Sequence, residues 1–126
     1  MAVRLSWVDR PLAVCRLPAD SATPEWATRP GALFCSVRSG DELSLVCEAP
    51  LVPQEIDSEG PFVAMKLEGQ LSFALVGVLT SLLVPLADAG ISVFVVSTYD
   101  TDYVLVKGAQ RQQAVTALTG AGHEFV

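Results

Sequence analysis

Leu71–Val106 reads LSFALVGVLTSLLVPLADAGISVFVVSTYDTDYVLV, and its punctuation decides the fold. In its first part Leu75, Val78, Leu79, Leu82, Leu83 and Leu86 recur at the i, i+3, i+4, i+7 spacing of one helical face. Gly77, Thr80, Ser81, Val84 and Asp88 lie on the other side. The spacing predicts a helix over Ala74–Ala89. Pro85 has no backbone N–H, so a bend or a loosened last turn is expected there. Gly90 is the natural stop, because it enters the left-handed conformation without a Cβ penalty. Ile91–Ser97 is β-branched and apolar on both faces, the pattern of a central strand. Thr98–Thr101 is a polar tight turn, and Tyr103–Lys107 returns as a paired strand.

Upstream, Phe62–Glu68 alternates, with Val63, Met65 and Leu67 on one face and Lys66 and Glu68 on the other, as in a strand covered on one side. Downstream, a second helix is predicted over Ala109–Thr119, with Ala114, Val115 and Leu118 inward and Gly120 and Gly122 ending it. His123–Val126 closes the chain as a short strand. The second half is thus β-α-β-β-α-β, an α+β ferredoxin-like unit with helices on one face of an antiparallel sheet. The first half repeats the plan imperfectly. Leu12–Leu17 is a strand, and Thr23 and Pro24 mark the start of a one- or two-turn helix. Ala32–Arg38 and Glu42–Glu48 form a hairpin about Ser39-Gly40-Asp41. Ala49–Pro61, rich in Pro, Gly and acidic residues, is expected as a linker, and Met1–Arg10 as a short arm with Trp7 packed on the body. The expected division is residues 1–60, a degenerate half, and 61–126, a complete one.

The chain has 126 residues, 51% of them apolar and 17% charged, so much of its surface must be buried in a core or a subunit interface. A net charge of −6 with eight scattered Lys and Arg excludes a nucleic-acid partner, whose phosphates demand clustered cations. Gly69–Ala87 carries no charge, yet Gln70, Ser72, Thr80, Ser81 and Pro85 leave it short of the about 20 strongly apolar residues of a membrane span. Met1–Asp9 holds Arg4 and Asp9 and no apolar run, so no secretory signal is expected. Cys15, Cys35 and Cys47 are odd in number and lack CxxC spacing, which fits reduced thiols in a cytoplasmic protein. The sole histidine, His123, is remote from them, so no metal site is expected and His123 reads as a solvated or capping residue.

Catalysis finds no support. There is neither GxxxxGK nor GxGxxG, and no His or Lys stands near a Ser or Cys in a nucleophile arrangement. Two clusters suit a small polar ligand instead. Backbone amides near Val76, Gly77 and Val78, at a helix start, attract a carboxylate, and Gly77 admits close approach. Asp102 or Asp100 would pair with an ammonium or guanidinium group, with Ser97 and Thr98 satisfying the remaining donors. Without a ligand, Gly77 reads as a close-packing glycine, and Asp100 and Thr101 as turn formers.

Three stretches, Leu71–Leu79, Leu86–Ser92 and Ser97–Val106, together resemble the ACT domain, a small amino-acid-binding regulatory module. More narrowly, they resemble tandem ACT-like proteins related to aspartokinase regulatory domains and CASTOR-type arginine sensors. The resemblance is strong over Phe62–Ala121 and rests on strand order and the Ser39–Val46 hairpin over Leu12–Val52. It implies tandem ferredoxin-like ACT units, no catalysis, no cofactor, and an amino acid or similar ligand held between units where strand-to-helix loops meet. It also implies a homodimer or a regulated partner protein. The chain departs from the pattern in offering Ser72 and Phe73 where many ACT domains carry an acid before the glycine. That departure and the apolar excess motivate an alternative: a structural or oligomerisation module with a vestigial pocket.

Overall fold

Alternating apolar residues build the strands of this α+β protein, and its two helices bury one apolar stripe each. The computed structural model describes residues 2–69 and 76–126. Along the chain run β1 (Arg4–Trp7), β2 (Leu12–Leu17), β3 (Cys35–Arg38), β4 (Leu43–Glu48), β5 (Asp57–Leu67), α1 (Val78–Asp88), β6 (Phe94–Ser97), β7 (Asp102–Lys107), α2 (Arg111–Gly120) and β8 (Glu124–Phe125). They divide into two compact units, one of Arg10–Phe62 and one of Met1–Asp9 with Val63–Val126.

In the unit Arg10–Phe62 the strand order is β3-β4-β2-β5, and every pairing is antiparallel. The short helix expected after Thr23 is a single 3-10 turn, Glu25–Ala27, that opens after Pro24. A second such turn, Ala49–Leu51, follows β4. The core gathers Ala13, Cys15, Ala27, Leu43, Leu45 and Cys47, with Trp26 and Phe34 packed against it. The stretch expected as a linker is only partly one. From Asp57 onward it is β5, paired with β2 through Arg16↔Asp57 and Leu12↔Phe62. Gly60 and Pro61 fall where the register with β2 shifts between Leu12 and Val14, and an irregular ladder of this kind tolerates both residues. β3 begins at Cys35, three residues after the expected start at Ala32.

The other unit corrects the expectation for the first ten residues. Rather than an arm on the first half, β1 is an interior strand of the second unit, antiparallel to β5 (Leu5↔Leu67) and parallel to β8 (Leu5↔Phe125). The order is β8-β1-β5-β7-β6. Val3 and Leu5 are buried and alternate with polar Arg4 and Ser6, a strand signature too short to register in the sequence. β6 is also corrected: among the described residues it pairs with β7 alone, so it is an edge strand, with Phe94 37% exposed. β-Branched composition specifies extended backbone, and position in the sheet is set by the other strands. The second part of β5 buries Ala64 as well as Met65 and Leu67, so both of its faces are covered, against the expectation of one.

In α1 the buried residues are Val78, Leu82 and Leu86, with Leu79 and Leu83 partly buried against the same core. Pro85 sits inside the helix without ending it. The stop is at Gly90 (φ 76°), where the amides of Gly90 and Ile91 turn back to Ala87 and Leu86. The expected helix residues Ala74 and Leu75, and Ser72 and Phe73 before them, lie outside the described residues. A 3-10 turn at Gly108–Gln110 precedes α2, whose Ala114 and Leu118 are fully buried. With Leu5, Met65, Leu67, Val104 and Val106 these side chains form one core, and each buried Leu contributes about 1.5–3 kcal/mol. Among the described residues no helix is long and apolar enough to cross a membrane.

Candidate functional site

The hairpin between β6 and β7 closes on itself through threonine. The Thr98 amide donates to the Thr101 carbonyl (2.8 Å), and the Thr98 hydroxyl both donates to that carbonyl (3.1 Å) and accepts from the Thr101 amide (3.2 Å). Ser97 and Asp102 are directly opposite in register, and the Ser97 hydroxyl donates to Asp102 Oδ1 at 2.6 Å. One hydroxyl therefore orients the carboxylate, whose remaining lone pairs could accept from a cation. Thr101 is more than a turn former: it is buried, and its hydroxyl donates to the Leu67 carbonyl at 2.7 Å. That bond pins the hairpin tip to the end of β5, where the chain sets out toward α1.

At the start of α1 Gly77 has φ 82° and ψ 4°, and no side chain among the described residues caps the helix. Among the described residues a Cβ at Gly77 would meet nothing within 4 Å, and its φ of 82° is what calls for glycine. The Ser81 amide donates to the Gly77 carbonyl at 3.0 Å. By helix geometry the amides of Val78, Leu79 and Thr80 then have no acceptor within the helix. The first turn holds no acidic side chain, and the side chain of Val76 is exposed while that of Val78 is buried. The expected site residues thus fall in two groups: Val76, Gly77 and Val78 at the helix start, and Ser97, Thr98, Asp100 and Asp102 on the hairpin.

Sequence reasoning missed two buried polar features, Glu48 and His123. Glu48, 4% exposed, is held by Arg10 at 3.3 Å and Arg29 at 3.2 Å, since a buried carboxylate is costly unless paired. His123 is neither solvated nor a cap. It is buried between the Val3 amide and the Ser81 carbonyl, because the turn after α2 points it inward. Cys15 and Cys47 are buried free thiols. Burial pushes Cys15 up, against a hydrogen bond with Cys47 that lowers it. Burial, and then the neighbouring Cys15, push Cys47 up to about 12. Both thiols are poor nucleophiles at neutral pH. Among the described residues no group of three or more His, Cys, Asp and Glu converges to hold a metal.

Comparison with known proteins places this geometry. An ACT domain family model matches residues 57–120, and a second family model, for an N-terminal domain, matches residues 11–55. The chain is similar to a protein of Agobacterium tumefaciens of known crystal structure, at 32% identity and a TM-score of 0.93, over 100% of this chain and 93% of that one. It is similar to a Vibrio cholerae protein of unknown function at 24% identity and a TM-score of 0.77, over 95% of this chain and 90% of the other. The ligand-free regulatory subunit of aspartate kinase from Thermus thermophilus shares the fold at 13% identity and a TM-score of 0.61, over 96% and 97% of the two chains. No curated protein matches.

Proposed function

This chain belongs to the ACT domain family, and from that premise we propose that it is a non-catalytic regulatory protein that binds an amino acid or a similar small ligand. The observation that carries the reading is the start of α1, which no side chain among the described residues caps. Where a helix usually places Ser, Thr or Asp, this one has Gly77, and its first turn holds no acidic side chain. Among the described residues nothing takes up the first-turn amides of Val78 and its successors, which suit a carboxylate approached past Val76 and Gly77. On the hairpin, Asp102, oriented by Ser97, takes the ligand's ammonium or guanidinium group, with Asp100 and Thr98 beside it.

The two units read as tandem ferredoxin-like ACT halves. Numbered along its own unit, the first has strand order 2-3-1-4 with its helices shrunk to 3-10 turns. The second has 4-1-3-2 with β1 slipped between its fourth and first strands. Its free thiols fit a reducing compartment, the cytoplasm. A second reading, assembly of copies through a sheet edge, draws on β6, whose exposed Phe94, with Val93 just before it, is not guarded by Lys or Pro.

Calorimetry of the full chain against each proteinogenic amino acid at millimolar concentration tests the first reading. At least one should bind. Asp102→Ala should weaken it about 10- to 100-fold, the worth of a charge-assisted bond, while leaving the melting temperature nearly unchanged. Binding that survives the substitution moves the site elsewhere. Silence from every amino acid sinks the ligand reading, and sedimentation showing a concentration-dependent dimer then supports the edge reading.

A further inference from the structure

In an α-helix each carbonyl accepts from the amide four residues on, so Ser81 should be served by residue 85. Residue 85 is Pro85, which has no N–H to give. Yet α1 continues through Pro85 to Asp88. The Nε2 atom of His123 lies 2.8 Å from this Ser81 carbonyl oxygen. On the other side of the ring, Nδ1 lies 3.0 Å from the Val3 amide nitrogen, which can only donate. Nδ1 is therefore the acceptor, the proton of the neutral ring sits on Nε2, and Nε2–H donates to Ser81. The ring is only 4% exposed. Its own backbone is fixed by a bond from the His123 amide to the Leu118 carbonyl (3.0 Å), just after Gly122 at φ 95°.

We infer that His123 supplies the hydrogen-bond donor that Pro85 withholds from α1, and that this one imidazole latches α1 to Val3, the residue that leads into β1. The two contacts share a ring, so losing one loosens the other, and β1 and the middle of α1 open as one cooperative piece. Ser81 also donates through its amide to Gly77 at 3.0 Å. The latch thus grips α1 one turn from its start and gives a displacement there a direct route to β1.

His123 is the chain's only histidine, so imidazole nitrogen NMR reads the latch without ambiguity. The Nε2–H tautomer, with an accepting Nδ1, is expected at neutral pH. The Nδ1–H tautomer would overturn the proposal. Hydrogen exchange gives the second arm. His123→Ala should speed exchange at Val3 and at α1 amides flanking Pro85 about tenfold, the scale of an orphaned buried partner. In a Pro85→Ala background residue 85 serves Ser81 itself. There His123→Ala should speed α1 exchange about twofold at most, while Val3 still accelerates about tenfold. An undiminished acceleration in α1 overturns the proposal. If His123→Ala does not fold, the wild-type tautomer decides the matter.

Discussion

Gly60 has φ 141°, and a Cβ there would sit 2.9 Å from the backbone oxygen of Leu12 and 3.3 Å from the amide nitrogen of Phe62. Both obstacles are main-chain atoms, which cannot swing aside as a flexible side chain would. Gly60→Ala is therefore expected to cost about 1–3 kcal/mol in urea denaturation. A loss within about 0.5 kcal/mol, the range of an indifferent surface change, would contradict the strained close approach. None of this is legible locally. Gly60 and Pro61 look like linker residues, and the atom that makes glycine necessary belongs to β2. His123 teaches the same lesson from the other side. Pro85 announces a missing amide in the sequence, but the donor that replaces it comes from far along the chain, and no spacing rule points to it.

Across β2 and β4, Ala13 faces Cys47 and Cys15 faces Leu45, which brings the two thiols into one core where they hydrogen-bond. In the native protein Cys47 ionises at about 12 against an ordinary 9.0. Above about pH 9 the unfolded chain sheds this proton while the folded chain keeps it. Stability that is complete below that pH should therefore decline toward about pH 12. Urea midpoints at about pH 8 and about pH 10.5 should show a steeper alkaline loss for the wild type than for Cys47→Ala; equal losses would refute the assignment. Elements of this kind were partly readable. Hydrophobic period found the buried face of α1 and both strands of the β2/β4 pair. It misjudged β6, because Ile91–Ser97 records a preference for extended backbone and says nothing of how many neighbours the strand acquires. At the candidate site, Gly77 and the Ser97–Asp102 run could be picked out by residue type. The Thr101 tie to Leu67 could not, since its acceptor is a backbone carbonyl.

At the scale of the molecule, the βαββαβ order could be read from 62–126 and the family from 62–121, where long apolar periods and turn residues agree. The role of the first residues could not, because four residues of β1 carry too little pattern to reveal a strand inserted into a distant unit. The insertion makes a sharp prediction. Leu5 is fully buried between β5 and β8, so Leu5→Ala should cost about 2–5 kcal/mol. A chain beginning at Arg10 should lose the cooperative unfolding of Val63–Val126, which differential scanning calorimetry would show as a missing transition; survival of that transition would mean β1 is dispensable. The same insertion governs the order of events during synthesis. β1 emerges before every other described strand, yet the His123 ring that receives its Val3 amide is made 120 residues later. Arg10–Phe62 holds β2, β3, β4 and the start of β5 and can settle while translation continues. The other unit cannot complete the pairing of its opening strand until β8 and His123 have been synthesised.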